Sequence, residues 1–215
     1  MQSQPISVID YGVGNLLSVQ RGFNHCGAEV KFVSSPAEIH AAEKLVLPGV
    51  GAFPNGMASL SNLDLVSAIQ DFSLTNRPML AICLGMQLLL DESEEFGKTK
   101  GLGIIEGVVT PVPITDALGA KQKIPHIGWN ELHTRQGEET WQDSILNGLS
   151  SGDATYFIHS YMAIPNNIED LLAYTPYGAI DVPAVITKNY ITGCQFHPEK
   201  SGEVGLSILR NFMKL

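Results

Sequence analysis

The strongest structural signal in this sequence is residues 80–87, Leu80-Ala81-Ile82-Cys83-Leu84-Gly85-Met86-Gln87, where an apolar run meets a cysteine flanked by small residues. A buried strand followed at once by helix-forming residues is typical of a nucleophile elbow, a sharp turn that pushes one side chain out of a sheet. The free N–H groups at the start of the following helix favour a thiolate. The stretch therefore predicts Cys83 as a nucleophile, although a buried structural cysteine is the commoner role for this residue type.

A second signal lies far downstream, in Gly193-Cys194-Gln195-Phe196-His197-Pro198-Glu199-Lys200-Ser201. A thiol nucleophile needs a base that takes and returns protons, and the base needs an acceptor that orients it. His197 and Glu199 are two residues apart after an apolar strand, so an extended backbone would direct both side chains to one side. Pro198 biases His197 toward that extended conformation. The two signals together predict a Cys-His-Glu triad.

The arrangement of apolar runs predicts an α/β fold with a mostly parallel or mixed central sheet flanked by helices. In the first half, the patterns predict strands at 6–10, 29–33, 44–47 and up to 82, and helices at 16–26, 63–72 and 83–92. In the second half, they predict strands at 104–112, 154–159, 171–175 and 184–188, antiparallel or mixed, and a last helix at 204–213. The 215 residues, 44% of them hydrophobic, predict a single domain over 1–215.

Composition argues against several classes of function. The chain carries 22 acidic and 13 basic residues without a basic cluster, so we expect no nucleic-acid partner. Its three cysteines and six histidines lack paired ligand spacing, so we expect no metal, and no cofactor is implied. With neither a signal-like start nor an apolar run of roughly 18 residues, the sequence predicts a soluble cytoplasmic protein that does not contact a membrane.

Six segments, in the same order, resemble the motifs of the triad-type glutamine amidotransferases over nearly the whole chain. They are Ile9-Asp10-Tyr11-Gly12-Val13-Gly14-Asn15-Leu16, Pro48-Gly49-Val50-Gly51-Ala52-Phe53, Ile82-Cys83-Leu84-Gly85-Met86-Gln87, Pro125-His126-Ile127-Gly128-Trp129-Asn130, Tyr156-Phe157-Ile158-His159-Ser160-Tyr161 and Gln195-Phe196-His197-Pro198-Glu199-Lys200-Ser201. The resemblance implies the fold of that family, with its nucleophile elbow.

The resemblance also implies an activity. In that family the cysteine attacks the amide carbon of glutamine to give a thioester, ammonia leaves, and water then releases glutamate. Carried over, Cys83 is the nucleophile, His197 the acid and base, and Glu199 the group that orients His197. The remaining site residues implied are an oxyanion hole formed by Gly49, Val50, Gly51 and Leu84, and glutamine contacts from Gln87, Glu95, Ser160 and Tyr161.

Two of these assignments have structural alternatives. Glu95 follows Glu92 and Glu94, and the three carboxylates could equally form a solvated acidic face. The glycine-rich segment from Pro48 to Gly51 follows a strand, where a turn without a ligand role is as plausible as an oxyanion hole. In the family this segment must reorient to complete the hole.

The resemblance is strongest to the branch that transfers ammonia to a (β/α)8 barrel cyclase subunit, with which it forms a heterodimer. Together the two subunits form imidazole glycerol phosphate and aminoimidazole carboxamide ribotide in histidine biosynthesis. By this resemblance His126, Trp129 and Asn130 lie on or near the docking face, although ordinary packing is an alternative for Trp129. Because hydrolysis without an acceptor wastes glutamine, we expect low activity from the isolated chain.

Three other functions remain open at this stage. A paralogous glutaminase subunit would supply ammonia to a sugar amidotransferase of surface-polysaccharide biosynthesis, with the same chemistry. A catalytically silent interaction subunit would keep the fold alone, and a cysteine peptidase would act on peptides. The sequence also departs from the family at one position, since Ala81 stands where a glycine usually begins the elbow. Alanine fits there if its φ stays negative.

Overall fold

The computed structural model describes residues 5–115, 119–135, 140–178 and 180–215. Strands and helices alternate in its first half, as the sequence predicts. These elements are β1 (Ile6–Ile9), α1 (Leu16–His25), β2 (Val30–Val33), α2 (Pro36–Ala41), β3 (Leu45–Leu47), α3 (Phe53–Asn62), α4 (Leu65–Ser73), β4 (Met79–Ile82) and α5 (Leu84–Leu88). The sequence patterns miss α2 and α3, both of which have a proline in the first turn, a position that helices tolerate.

The second half is rich in strands and ends in a helix. Its elements are β5 (Glu92–Ser93), β6 (Thr99–Lys100), β7 (Gly107–Pro111), β8 (His126–Glu131), β9 (His133–Thr134), β10 (Ala154–His159), β11 (Tyr161–Pro165), β12 (Leu171–Tyr177), β13 (Ile180–Lys188), β14 (Ile191–Cys194) and α6 (Gly202–Lys214). In the part of the chain that the structure describes, no helix combines the length and the apolarity that a membrane crossing requires.

The central sheet has eight strands in the order β2-β1-β3-β4-β14-β13-β12-β9. Neighbours from β2 to β14 are parallel, whereas β13, β12 and β9 continue the sheet in antiparallel fashion. A four-stranded sheet, β11-β7-β5-β6, and the antiparallel pair of β8 and β10 complete the described strands. The predicted α/β class with a mixed central sheet is confirmed.

The core occupies both faces of the parallel strands, because successive side chains of a strand point to opposite sides. Ile9 and Ala81 pack in one buried cluster, together with α3, α4 and α5. Val8 and Leu80 pack in the other, together with α1 and α6. Burial on both faces explains why these strands read as continuous apolar runs in the sequence.

The elbow helix is shorter than the sequence predicts. The pattern suggests a helix over 83–92, but α5 ends at Leu88 and the chain enters β5 at Glu92. The reason is tertiary, because the N–H groups of Leu102 and Ile104 donate to the carbonyl oxygens of Leu88 and Leu89, at 2.9 Å each. A distant loop thus takes over the carbonyl groups at the end of the helix.

Gly85 allows α5 to lie directly against β3, and its replacement tests this contact. A Cβ atom at position 85 would stand 2.0 Å from the carbonyl oxygen of Leu47. We expect Gly85→Ala to lower the free energy of unfolding by about 1–3 kcal/mol, the usual cost of overpacking, measured by denaturant unfolding. Ser61→Ala, on the exposed side of α3, serves as the control. Equal stability of Gly85→Ala and the parent would contradict this packing.

Candidate active site

The turn between β4 and α5 has the backbone of a nucleophile elbow. Cys83 has φ 55° and ψ −108°, a conformation that residues other than glycine rarely adopt. Ala81 lies in β4, fully buried, and positive φ falls on Cys83 rather than on Ala81. The methyl group of Ala81 is therefore accommodated within the strand, and the elbow is intact despite this departure from the family pattern.

His197 and Glu199 form a buried pair on the segment that follows β14. The backbone N–H of His197 donates to the carbonyl of Tyr156 at 3.0 Å, and residues 198–200 form one turn of 3-10 helix. The hydroxyl of Ser201 donates to the carbonyl of His197 at 2.7 Å. These bonds hold the backbone so that His197 Nδ1 lies 2.8 Å from Glu199 Oε1, with both side chains buried. The carboxylate thus lies within hydrogen-bond distance of the ring, the position expected of an orienting group.

The pKa of His197 is raised to about 9. Burial lowers it, and the neighbouring Cys83 and Glu199 side chains outweigh the burial. Of these two neighbours, only Glu199 forms a hydrogen bond with the ring, through Nδ1. The other ring nitrogen, Nε2, is buried without a hydrogen-bond partner among the described residues. The raised pKa favours the protonated ring at neutral pH, and Nε2 lies on the side of the ring away from Glu199.

A pocket of about 350 Å³ brings most of the predicted site residues together. Its lining includes these candidates: Cys83, His197, Val50, Gly51, Leu84, Gln87, Glu95, Ser160 and Tyr161. Two candidates do not line the pocket but contact residues that do: Glu199 bonds to His197, and Gly49 packs against Leu84. Within the described ranges, no group of three or more histidine, cysteine, aspartate or glutamate side chains is arranged to hold a metal ion.

The glycine-rich segment after β3 forms one side of this pocket. Gly51 has φ 94°, which glycine adopts without strain. A Cβ at Gly49 would stand 2.7 Å from the Tyr11 hydroxyl, so only glycine fits there. Tyr11 donates to the carbonyl of Pro48 at 2.7 Å, and burial raises the pKa of Tyr11, which keeps the hydroxyl protonated. Leu84, as the first residue of α5, presents an N–H without an intrahelical partner.

Glu95 belongs to the pocket and not to a solvated acidic face. Its side chain is buried, and Oε2 accepts a 2.6 Å hydrogen bond from the backbone N–H of Phe53, at the start of α3. Glu94 is exposed, and Glu92 pairs with Lys98 at 2.8 Å. The three carboxylates therefore have separate environments, and this resolves the alternative left open by the sequence.

The expected docking residues separate into buried and exposed ones. His126 is fully buried, stacked on Tyr177 at a centroid distance of 3.9 Å, so its ring cannot be part of a surface. Asn130 is half-buried, and its side chain donates to the carbonyl of Pro176 at 3.1 Å. Trp129 is 57% exposed, which excludes ordinary core packing for it.

Sequence reasoning missed several residues of the site, above all His159 and Gln195. His159 lines the pocket, and its pKa is lowered to about 3 by burial and by His126, so the ring is neutral. Gln195 is fully buried, and its Nε2 lies 3.8 Å from the sulfur of Cys83. Pro125, Ile158 and Lys200 also line the pocket. All five residues fall within the segments that resemble the family motifs, so their position in those motifs could have indicated that they belong to the site.

Comparisons with known proteins agree with this geometry. Residues 7–215 match the family model described as glutamine amidotransferase class-I. The imidazole glycerol phosphate synthase subunit HisH 1 of Legionella pneumophila (strain Lens) is 50% identical over 210 residues, covering 98% of this chain and 99% of that protein. The subunit HisH of Lactococcus lactis subsp. lactis (strain IL1403) is 42% identical, covering 97% and 98% respectively.

Solved structures are similar in fold. A chain in the structure of PurLQS from Thermotoga maritima superposes with a TM-score of 0.71 at 16% identity, covering 98% of both chains. Together with the matches in sequence, this confirms the resemblance to triad-type glutamine amidotransferases. The chain belongs to the class-I glutamine amidotransferases and, within them, to the HisH subunits of imidazole glycerol phosphate synthase.

Proposed function

We propose that this chain hydrolyses glutamine with Cys83 as nucleophile, His197 as acid and base, and Glu199 as the group that orients His197. The observation that carries the proposal is one pocket that joins the strained cysteine elbow to a buried histidine–carboxylate pair. The presence of all three side chains, with His197 and Glu199 at hydrogen-bond distance, argues against a catalytically silent subunit.

The first half of the reaction forms a thioester. His197 holds the proton of Cys83 on Nε2, and the thiolate of Cys83 attacks the amide carbon of glutamine. The carbonyl oxygen becomes an oxyanion, which backbone N–H groups of Gly49, Val50, Gly51 and Leu84 stabilise. The protonated His197 gives its Nε2 proton to the amide nitrogen, so the C–N bond breaks and ammonia leaves.

The second half returns the enzyme to its starting state. His197, now neutral, takes a proton from water, whose oxygen attacks the thioester carbon. The C–S bond breaks, glutamate leaves, and the sulfur keeps the electron pair. The same pocket is lined by Gln87, Glu95, Ser160 and Tyr161. We assign these four residues to binding the α-amino and α-carboxylate groups of the substrate glutamine.

We propose further that ammonia passes to a (β/α)8 barrel cyclase subunit bound to this chain as a heterodimer. The relatives from Legionella pneumophila and Lactococcus lactis are named as synthase subunits, which supports the histidine-pathway products over a sugar amidotransferase. An exposed apolar stripe on β8 and β10 supports the location of the interface. It consists of Ile127, Trp129 and Ile158, the last of which also lines the pocket.

Two broader assignments complete the proposal. The family match over 7–215 supports a single glutamine amidotransferase domain over 1–215. Cys26, Cys83 and Cys194 are all unpaired, and catalysis by Cys83 requires a reduced thiol, so we assign the chain to the cytoplasm.

Replacing Cys83 tests the nucleophile. We expect Cys83→Ala to lower glutamate release by at least about a thousandfold, because no other group can form the thioester. Synthesis by the barrel partner with added ammonia should continue, since ammonia bypasses this pocket. Both rates are measured on the complex. Cys26→Ala is the matched control, because this thiol lies in α1's C-terminal cap, outside the pocket. Glutamate release by Cys83→Ala at the parental rate would refute the proposal.

Replacing Glu199 tests the orienting carboxylate. We expect Glu199→Gln to move the pKa of His197 from about 9 back toward the ordinary 6.5, measured by NMR titration of the ring. Glutamate release should fall by about a hundredfold or more. Because the folded-state pKa is raised, the pair stabilises the fold fully below about pH 6.5, and this contribution is lost as pH rises through about 9. Glu203→Gln, an exposed carboxylate on α6, is the control. An unchanged titration would exclude the orienting role.

Replacing Trp129 tests the interface. We expect Trp129→Ala to weaken binding of the barrel subunit by about tenfold or more, as for a central aromatic contact, measured by titration calorimetry. Leu74→Ala is the control, because Leu74 is even more exposed than Trp129 but lies outside the stripe. Equal affinities for Trp129→Ala and the parent would place the interface elsewhere.

A further inference from the structure

Gln195 lies immediately beside the nucleophile, in a position to which the proposed mechanism gives no role. Its side chain is fully buried one residue after the end of β14, and its backbone N–H donates to the carbonyl of Ala184 at 2.9 Å. Nε2 of Gln195 lies 3.8 Å from the sulfur of Cys83, within the range of a hydrogen bond to sulfur. The thiol itself faces the carbonyl of Ile158 at 3.9 Å.

The other end of the same amide is held by a second buried glutamine. Oε1 of Gln195 accepts a 3.0 Å hydrogen bond from Nε2 of Gln87. The same nitrogen of Gln87 donates to the carbonyl oxygen of Tyr161, also at 3.0 Å. The carbonyl of Tyr161 accepts a further bond from Nδ1 of His159, at 2.8 Å.

The direction of this chain of bonds follows from the carbonyl group at its end. A carbonyl oxygen can only accept, so Gln87 must present its NH₂ group to Tyr161, and the second proton of that group points to Gln195. Gln195 must therefore present its oxygen to Gln87, which leaves its own NH₂ group facing the sulfur of Cys83. The backbone thus fixes an amide orientation that the side chain alone would leave free.

We propose that Gln195 is a positioning residue that directs an N–H at the sulfur of Cys83, with its orientation imposed by Gln87. The inference rests on the proposed function, because it assumes that this sulfur is the nucleophile. A donor at this distance stabilises negative charge on the sulfur and holds it against the pocket wall. It does so without carrying a proton that the reaction consumes, so it complements His197.

The test is the pH dependence of Cys83 alkylation by iodoacetamide, followed by mass spectrometry of the peptide that contains Cys83. Gln195→Met keeps the length of the side chain and removes the donor. We expect the midpoint of the alkylation profile to move up by about one pH unit, so that alkylation at neutral pH slows by about tenfold. Gln70→Met is the matched control, because the Gln70 amide donates to the carbonyl of Leu102, outside the pocket. A profile identical to the parent's would overturn the proposal.

A second variant keeps the test decisive if Gln195→Met fails to fold. Gln87→Leu leaves Gln195 in place and removes the group that orients it, so the alkylation profile should move in the same direction. The kinetics separate the two roles, since Gln195→Met lowers kcat and Gln87→Leu also raises KM. An unmoved profile in Gln87→Leu would exclude the orienting chain of bonds. Alkylation reports on the sulfur alone, whereas glutamate release by Cys83→Ala reports on the proposed function, so the two failures are distinguishable.

Discussion

The parallel pairing of β4 with β14 joins two parts of the chain that hold the reactive groups. Residues 83 and 195 are 112 positions apart in sequence. In the sheet, Ile82 lies opposite Cys194, and the N–H of Cys83 donates to the carbonyl of Cys194 at 2.7 Å. The carboxyl ends of both strands therefore meet at one edge, where open α/β sheets bind their ligands. Without this pairing, the elbow and the histidine would have no common pocket.

Two histidines of this pocket show how burial and neighbouring groups shift the pKa of the same side chain in opposite directions. His159 is buried beside another imidazole, His126, and its pKa is lowered to about 3, so it remains neutral. His197 is also buried, but Glu199 lies 2.8 Å from its Nδ1, and its pKa is raised to about 9. The ring of His159, which stays neutral, and the ring of His197, whose pKa is raised, thus line the same pocket.

The sequence predicts the parallel half of the fold well, because strands buried on both faces are apolar throughout. It predicts the elbow and the histidine–carboxylate pair equally well, because local spacing determines both. It fails where distant residues decide the structure. Helix α5 ends early because the loop that contains Leu102 bonds to its carbonyl groups. The burial of His126 is also a tertiary effect that no local pattern indicates, since Tyr177, fifty-one positions later in the sequence, stacks on it.

Within the site, the same limit applies to side chains whose partners are far away. The periodicity of Glu92, Glu94 and Glu95 cannot tell a buried carboxylate from a solvated one, since the partner of Glu95 is the backbone of Phe53. Gln195 stands in a recognised motif, yet its role depends on Gln87, which no local pattern connects to it. The roles of these side chains are therefore determined by tertiary hydrogen bonds, which the spacing of residues in the sequence does not indicate.

Two of these hydrogen bonds limit how the glycine-rich segment beside the sulfur can move. At one end of the segment, the Tyr11 hydroxyl donates a hydrogen bond to the carbonyl of Pro48. At the other end, the backbone N–H of Phe53 donates to the carboxylate of Glu95. Only residues 49–52 lie between these two hydrogen bonds. Such a short span cannot swing as a hinged flap, so any rearrangement there is a crankshaft rotation of individual peptide planes, in which two glycines supply the freedom.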